Sequence, residues 1–264
     1  MGTKHDVLTE AELASYSLNP VVADTIATFR ETSGLEPSQI RILDWGCGRG
    51  RSVAVLRDQG YDAYGVEIDE ATMRNGFALF ENRGWQPSRL LMLLSDLERV
   101  PNGSFHLIFS EQVFEHVFDL AHAAREQARL TRPGGLGIHC FPGALGITED
   151  HLFMPCVHWL PKRTIRRAVI HAMLALGKGP EGDWIETRGK PLREQAQVYY
   201  EYLNHRTYYR DTAAICRLFQ AHGFTARSEV AGMSTRARRL LPSYLRRNGF
   251  PNNAVRLHLM KREL

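Results

Sequence analysis

The chain has 264 residues, 44% of them hydrophobic and 23% charged, with a formal net charge of +4. That length suits one α/β domain with insertions, and the balance of apolar and charged residues supplies a core, which excludes wholesale disorder. No apolar run approaches the ~20 residues that span a bilayer, and the opening "MGTKHDVLTEAELAS" lacks the apolar centre of a signal peptide, so a cytoplasmic protein is expected.

Asn19 is a good N-cap and Pro20 a good first-turn residue, and Val21, Val22, Ile26 and Phe29 follow as an apolar stripe. Together they predict a helix over 20–33, ended by Gly34. "IRILDWG" predicts a buried strand, residues 52–59 a helix ended by Gly60, and "YDAYGVEID" (61–69) a second strand. A helix over 71–84 comes next, then a third strand that starts at 89 and runs into a loop by 101. A fourth strand starts at 104, an alanine-rich helix fills 119–135, and "LGIHCF" (136–141) is a fifth strand. Strands that alternate with helices require crossover connections, so the fold class is α/β, a doubly wound and mainly parallel sheet with helices on both faces.

From 142 to about 206 the alternation stops. This stretch is rich in proline and aromatic residues, with one helical segment over 162–177. It is expected to lie over the finished sheet as an inserted lid within a single domain, 1–264, that opens with a helical segment, 1–38. A helix in "TAAICRLFQAHGF" and short strands near 224–230 and 254–261 complete the pattern. Cys47, Cys140, Cys156 and Cys216 are scattered without a C-x-x-C pair, which gives neither a zinc site nor a disulfide framework, and no metal is assigned. The late basic cluster "RARRLLPSYLRR" (236–247) is read as a solvated face.

The run "ILDWGCGRGRS" (42–52) places glycines at 46, 48 and 50. A glycine turn after the first strand of a doubly wound sheet lets a ligand approach the backbone more closely than a side chain allows. Glu67 ends the second strand, nineteen residues beyond Gly48, where a carboxylate can accept both hydroxyls of an adenosine ribose. The spacing is G-x-G-x-G, with Arg51 where the third glycine of the dinucleotide fingerprint would stand.

In these residues the chain resembles the class I S-adenosylmethionine-dependent methyltransferases, whose first motif commonly reads as an apolar strand followed by D-x-G-C-G-x-G. "VEID" resembles their second motif, "SDLERVP" the third, "FHLIFSEQVFEHV" the fourth-strand motif and "RLTRPGGLGIH" the turn into the fifth strand. "AAICRLFQAHGF" and "AVRLHLMKRE" resemble the last helix and the terminal hairpin strand, so the likeness covers roughly 40–141 and 207–262. The resemblance implies a seven-stranded sheet with an antiparallel last strand, and S-adenosyl-L-methionine as cofactor. It also implies roles. Asp44 would orient the turn and the cofactor's ammonium, and Gly46, Cys47 and Gly48 would present backbone. Glu67, next to Ile68, would bind the ribose. Asp96 would receive the adenine amino group, the backbone of Leu97 would meet the ring edge, and Glu111 at the end of the fourth strand would join the cofactor set. Trp45, Arg49 and Arg51 depart from the smaller or neutral residues common in this family.

Methyl transfer from a sulfonium is an in-line displacement in which alignment and desolvation supply much of the catalysis. An oxygen acceptor also gains from a base that titrates near neutrality, which favours histidine. His116, after the fourth strand, and His151 and His158, in "EDHLFMPCVHWLP", are the catalytic candidates. The expected reaction is O-methylation of a small-molecule acceptor, of apolar or aromatic character given Trp159, Trp184, Tyr199, Tyr200 and Tyr202 in the lid. Two alternatives stay open. Glu111, Glu115 and His116 with His151 resemble the metal-binding set of the small-RNA 3′-terminal 2′-O-methyltransferases, without the rest of that signature, and a non-catalytic cofactor-binding scaffold would carry the same motifs. Nucleic acid is not the expected partner, and oligomeric state is not legible.

Overall fold

Ile42 and Leu43 are neighbours in the first strand, β1 (Arg41–Trp45), and both are fully buried. Successive strand residues point to opposite faces, so this strand is covered on both sides. It pairs in parallel with β2 (Asp62–Glu67) and β4 (Phe105–Glu111), Ile42 standing opposite Ala63 on one side and Leu107 on the other. β3 (Leu91–Leu93) extends the sheet beyond β2, and β5 (Thr131–Pro142) beyond β4, both in parallel. β7 (Ala254–Lys261) runs antiparallel between β5 and β6 (Phe224–Val230). The order is β3-β2-β1-β4-β5-β7-β6, the expected doubly wound α/β sheet of seven strands with one antiparallel member. The computed structural model describes residues 6–180, 184–230, 241–250 and 254–263.

Each face has its own core. On one, Ile42, Leu107, Phe109 and Ile138 pack against helices α1 (Glu10–Ala14), α2 (Pro20–Ser33) and α3 (Arg51–Asp58). On the other, Leu43, Trp45 and Ile108 meet α7 (Leu120–Leu130) and α10 (Thr212–Ala221), where Phe114, Phe141 and Phe219 stack with centroids 5.5 and 5.8 Å apart. Burying such a ring contributes roughly 2–3 kcal/mol, so these faces hold the strand ends in place. Helix starts follow the chemistry expected of them. Asn19 accepts from the Val21 amide (3.1 Å), and Gly34, with φ of 67°, closes α2.

The structure corrects four boundaries. The helix expected over 71–84 is two short ones, α4 (Glu70–Arg74) and α5 (Phe77–Asn82). The Arg49 carbonyl lies against Gly76, 2.0 Å from where a Cβ would stand, and Asn75 gives its carbonyl to the Leu8 amide (2.8 Å), so the first glycine turn and the N-terminal segment wedge the helix apart. The third strand has three residues, between α6 (Pro87–Leu90) and a 3-10 turn (Leu94–Arg99). The helix over 119–135 stops at Leu130. Arg132 precedes a proline and is held extended, so β5 already begins at Thr131.

The fourth correction lies between β5 and α10. Besides α8 (Thr164–Ala175) there is a second helix, α9 (Leu192–His205), whose Ala196, Tyr199 and Leu203 form a buried helical stripe. With Leu152, Met154, Val157 and Ile170 they make a third apolar cluster. The buried Arg166 fastens α8 to the preceding loop through the carbonyls of His158 (3.1 Å) and Leu160, and to α9 through Asn204 (2.8 Å). Of the late basic cluster, 236–240 lie outside the described residues, while Ser243–Arg247 is a short helix in which Arg247 faces Asp211 (3.6 Å). No helix among the described residues is long and apolar enough to cross a membrane.

Candidate active site

The first glycine turn is tied to the end of β2. Gly46 and Cys47 donate their amides to the Val66 carbonyl (2.8 and 3.0 Å), and Gly48 donates to Glu67 Oε2 (2.9 Å). Glu67 Oε1 accepts from the amides of Ile68 (2.7 Å) and Asp69 (3.1 Å), so one carboxylate braces both strand ends. Gly46 lies beneath Val113, whose Cγ2 is 2.5 Å from where a Cβ would stand. A Cβ on Gly48, whose φ is 54°, would meet only Thr72 at 4.0 Å. Open space above Gly48 is what a bound ligand needs. Cys47 is buried against Gly65, and burial holds its thiol well above the usual range, so it fills space and is no nucleophile.

Asp44 is 5% exposed, and burial with Glu111 and Glu67 nearby pushes its carboxyl up to about 8, against the pull of a Ser52 hydrogen bond. The N-terminal segment closes over this acidic group. Tyr16 Oη and Ser52 Oγ are 2.7 Å apart, Arg51 lies 4.8 Å from the Tyr16 ring, and Asn19 Nδ2 donates to Glu111 (2.9 Å). Three carboxylates thus converge with little cationic compensation, an electrostatic fit for a positively charged ligand. The arginine at 49 is diverted elsewhere. It is 6% exposed and donates to both oxygens of Glu12 (3.0 Å to Oε2) and to the Asp6 carbonyl (3.0 Å), clamping α1 onto the turn.

Beyond Glu67 a slot of 490 Å³ opens past the ends of β2 and β3, lined by the exposed Ile68, by Leu93, Leu94 and Leu97, and by the polar Ser95, Glu70, Glu98, His122 and Glu126. Its isoleucine and leucine side chains suit the faces of a flat heteroaromatic ring, and the polar groups its ring nitrogens. Asp96 is turned outward onto Arg99 (3.3 Å) and does not line the slot, and the Leu97 carbonyl is taken by Arg129 (2.7 Å). A larger cleft, 720 Å³, runs along the sheet between α2 and β6–β7. There Glu229 lies 3.5 Å from both Arg256 and His258, and the cleft lacks the glycine turn.

A second polar group gathers past the end of β4. The His116 amide donates to the Val113 carbonyl (2.8 Å), closing a turn that brings His116 within about 7 Å (Cα to Cα) of the residue seated on Gly46. His116 Nε2 is 3.1 Å from His151 Nε2, and His151 Nδ1 is 2.7 Å from Glu149 Oε1. Glu149 is fully buried and also accepts from the amides of His151 (2.9 Å) and Leu152 (2.6 Å) and from Tyr209 (2.5 Å). Burial alone would raise its carboxyl, but the His151 hydrogen bond and charge, with the other donors, hold it below the usual value. Burial disfavours the charged His151 ring, but the Glu149 hydrogen bond and the charges of Glu149, Glu115 and Asp150 together outweigh this and raise its pKa.

Of the three histidine candidates, two therefore meet at one point. The third, His158, stands one residue back, with its ring 4.7 Å from the Tyr209 ring, and burial lowers it to about 4, so it stays neutral. Glu111 points to Asn19 and Asp44, apart from the Glu115, His116 and His151 group whose donor atoms lie within 4.8 Å of one another. Sequence reasoning missed Glu149, Tyr209, Tyr16 and the Glu12 clamp. Only Glu149 left a local signal, two residues before His151.

A family model described as a methyltransferase domain matches residues 17–229. A ubiquinone biosynthesis O-methyltransferase from Maricaulis maris is 28% identical over 128 residues, 47% of this chain and 50% of its own. An uncharacterized methyltransferase from Mycobacterium sp. (strain JLS) is 32% identical over 141 residues, 53% and 52% of the two chains. The chain thus spans about half the length of the curated relatives it matches. Among solved structures, an S-adenosylmethionine dependent methyltransferase from Mesorhizobium loti shares the fold, with a TM-score of 0.50 at 16% identity over 87% of this chain and 95% of that one.

Proposed function

The chain belongs to the class I S-adenosylmethionine-dependent methyltransferases, and on that premise we propose that it methylates an oxygen of a small-molecule acceptor held beneath the segment between β5 and α10. The observation that carries this reading is the Val113–His116 turn, which seats one end on the glycine turn and the other in the histidine and carboxylate group. The O-methyltransferase named among the relatives supports oxygen as the acceptor atom.

The residues fit the cofactor. The slot by Ile68 and Leu97 would take the adenine, Glu67 the ribose hydroxyls, and Asp44 with Glu111 the ammonium, while the open space over Gly48 admits the chain between. Asp96 faces Arg99 and is left out of this set. When bound, the cofactor supplies an electrophilic methyl carbon on a cationic sulfur and leaves as a neutral thioether. The chain supplies alignment and a dry site, with Tyr16 and Asn19 closing one side and Tyr202, 5.4 Å from the His151 ring, the other. The acceptor hydroxyl gives up its proton at His116 and His151 as its O–C bond forms and the S–C bond breaks.

Glu67→Ala is expected to weaken S-adenosylhomocysteine binding at least tenfold, since a charged hydrogen bond contributes roughly 1.5–3 kcal/mol. Calorimetry that finds equal affinity in variant and wild type would remove Glu67 from the cofactor site.

Asp44 predicts a pH dependence. Its pKa is about 8 in the folded chain against 3.8 for an ordinary aspartate, so between these values the folded state holds a proton that the unfolded state has lost. That contribution therefore lowers ligand-free stability as pH rises from about 4 to 8. A cationic ligand favours the ionised carboxylate, so S-adenosylmethionine binding at pH 7 should release a proton. Calorimetry in two buffers of different ionisation enthalpy measures that release. Asp44→Asn should abolish it, and unchanged release in the variant would assign the proton to another group.

A further inference from the structure

Deepening the acceptor-site reading above, and resting on it for the role of the ion though not for the site itself, we propose that Glu115, His116 and His151 bind one divalent transition-metal ion of the zinc class, with a coordination position open to the acceptor oxygen.

The hydrogen bonds fix both tautomers. The partner of His116 Nδ1 is the Arg206 carbonyl (2.7 Å), which can only accept, so Nδ1 carries the proton. The partner of His151 Nδ1 is Glu149, a carboxylate already fed by two amides and Tyr209, so this Nδ1 donates as well. Neutral rings held this way turn two lone pairs toward each other across 3.1 Å. That contact is repulsive unless something positive lies between or beside the nitrogens. Ligand atoms that share one ion at about 2.1 Å stand roughly 3 to 3.5 Å apart, which matches.

Glu115 supplies the counter-charge. It is 2% exposed, and neither carboxylate oxygen has a hydrogen-bond partner among the described residues. Its Oε1 lies 3.8 Å from His116 Nε2. A buried carboxylate without donors is costly, and a cation accounts for it where packing does not. The outer contacts also fit. A ligating imidazole usually donates its other N–H to a carboxylate or a backbone carbonyl, and Glu149 and Arg206 are one of each. Two imidazoles and one carboxylate suit zinc, iron or cobalt better than magnesium or calcium. Three protein ligands leave a position free, as in catalytic rather than structural sites. With the ion in place the two rings serve as its ligands and no longer as the proton acceptor: a hydroxyl bound there would release its proton to solvent, as metal-bound water does near neutral pH, and the oxyanion would displace the thioether from the methyl carbon.

Zinc is the probe, added to chelator-treated full-length protein without cofactor or acceptor and followed by calorimetry. One equivalent is expected to bind, and cobalt(II) in its place should give the visible absorption of a low-symmetry site. Glu149→Gln should weaken zinc by roughly 10- to 100-fold, and Glu115→Gln by more, with S-adenosylhomocysteine binding retained as the control for folding. Absence of stoichiometric uptake and of a cobalt spectrum in the unmodified protein would overturn the proposal and leave the two rings sharing a proton. Unchanged uptake by Glu115→Gln and His116→Gln would overturn it too, by placing the ion elsewhere. Variants that lose zinc but keep full methyl transfer would uphold the ion site while removing the acceptor role given to this cluster.

Discussion

His151→Ala is expected to lower kcat by roughly 10² to 10⁴ while leaving S-adenosylhomocysteine affinity within about twofold, because removal of the acceptor's proton is a transition-state effect. The geometry supports the separation. His151 lies with His116, Glu149 and Tyr209, whereas the residues suited to the cofactor lie around Asp44, Glu67 and the slot by Ile68. Single-turnover rates alongside calorimetry check it. Full kcat with only a raised KM would make His151 a binding residue. His158→Ala is the contrasting variant. Its ring is packed on Tyr209 and kept neutral by burial, so its loss should act on stability more than on kcat.

Glu12→Ala should destabilise the fold by about 3 kcal/mol or more, the usual cost of leaving one member of a buried ion pair without its partner. The Arg49 side chain is 5% exposed and that of Glu12 16%, so solvent gives the orphaned guanidinium little relief. Because Glu12 also faces Arg51 (3.4 Å) and α1 precedes Tyr16 and Asn19, cofactor affinity should fall with stability. Urea unfolding of Glu12→Ala, Arg49→Met and the double variant measures the pair. The double variant should recover part of the loss, since it removes both charges. If Glu12→Ala changes stability by less than about 0.5 kcal/mol, as a surface ion pair would, the clamp is not what holds α1 on the turn.

Three non-glycine residues at the site hold a left-handed backbone. Gln112 (φ 55°) directs the chain from β4 into the Val113 turn while its amide bonds the Cys140 carbonyl (2.8 Å), and Phe153 (φ 53°) and Cys156 (φ 56°) lie between His151 and His158. Such residues cost about 1 kcal/mol each and persist where the surroundings demand the conformation. Here the demand is that His116 and the loop that carries His151 and His158 reach one place.

The sheet was legible because its signals are local. A strand buried on both faces needs an unbroken apolar run, a helix needs a cap and a 3.6-residue stripe, and the glycine turn with Glu67 nineteen residues on reports a shared strand-end position. Boundaries failed where a distant backbone intruded, as Arg49 does at Gly76, and α9 was hidden because a stripe of Ala196, Tyr199 and Leu203 among other aromatics reads as a loop until α8 packs on it. The sequence by itself determined the α/β class, the order of the motifs and the residue types able to meet an adenosine cofactor, since these follow from periodicity and short-range geometry. Only the tertiary structure decided that Asp96 turns away to Arg99, that Arg49 is held by Glu12, and that His116, His151, Glu149 and Tyr209, spread from 116 to 209, form one hydrogen-bonded group. Hydrogen bonds and ion pairs between residues so far apart leave no trace in local pattern, because only the folded backbone sets their distance.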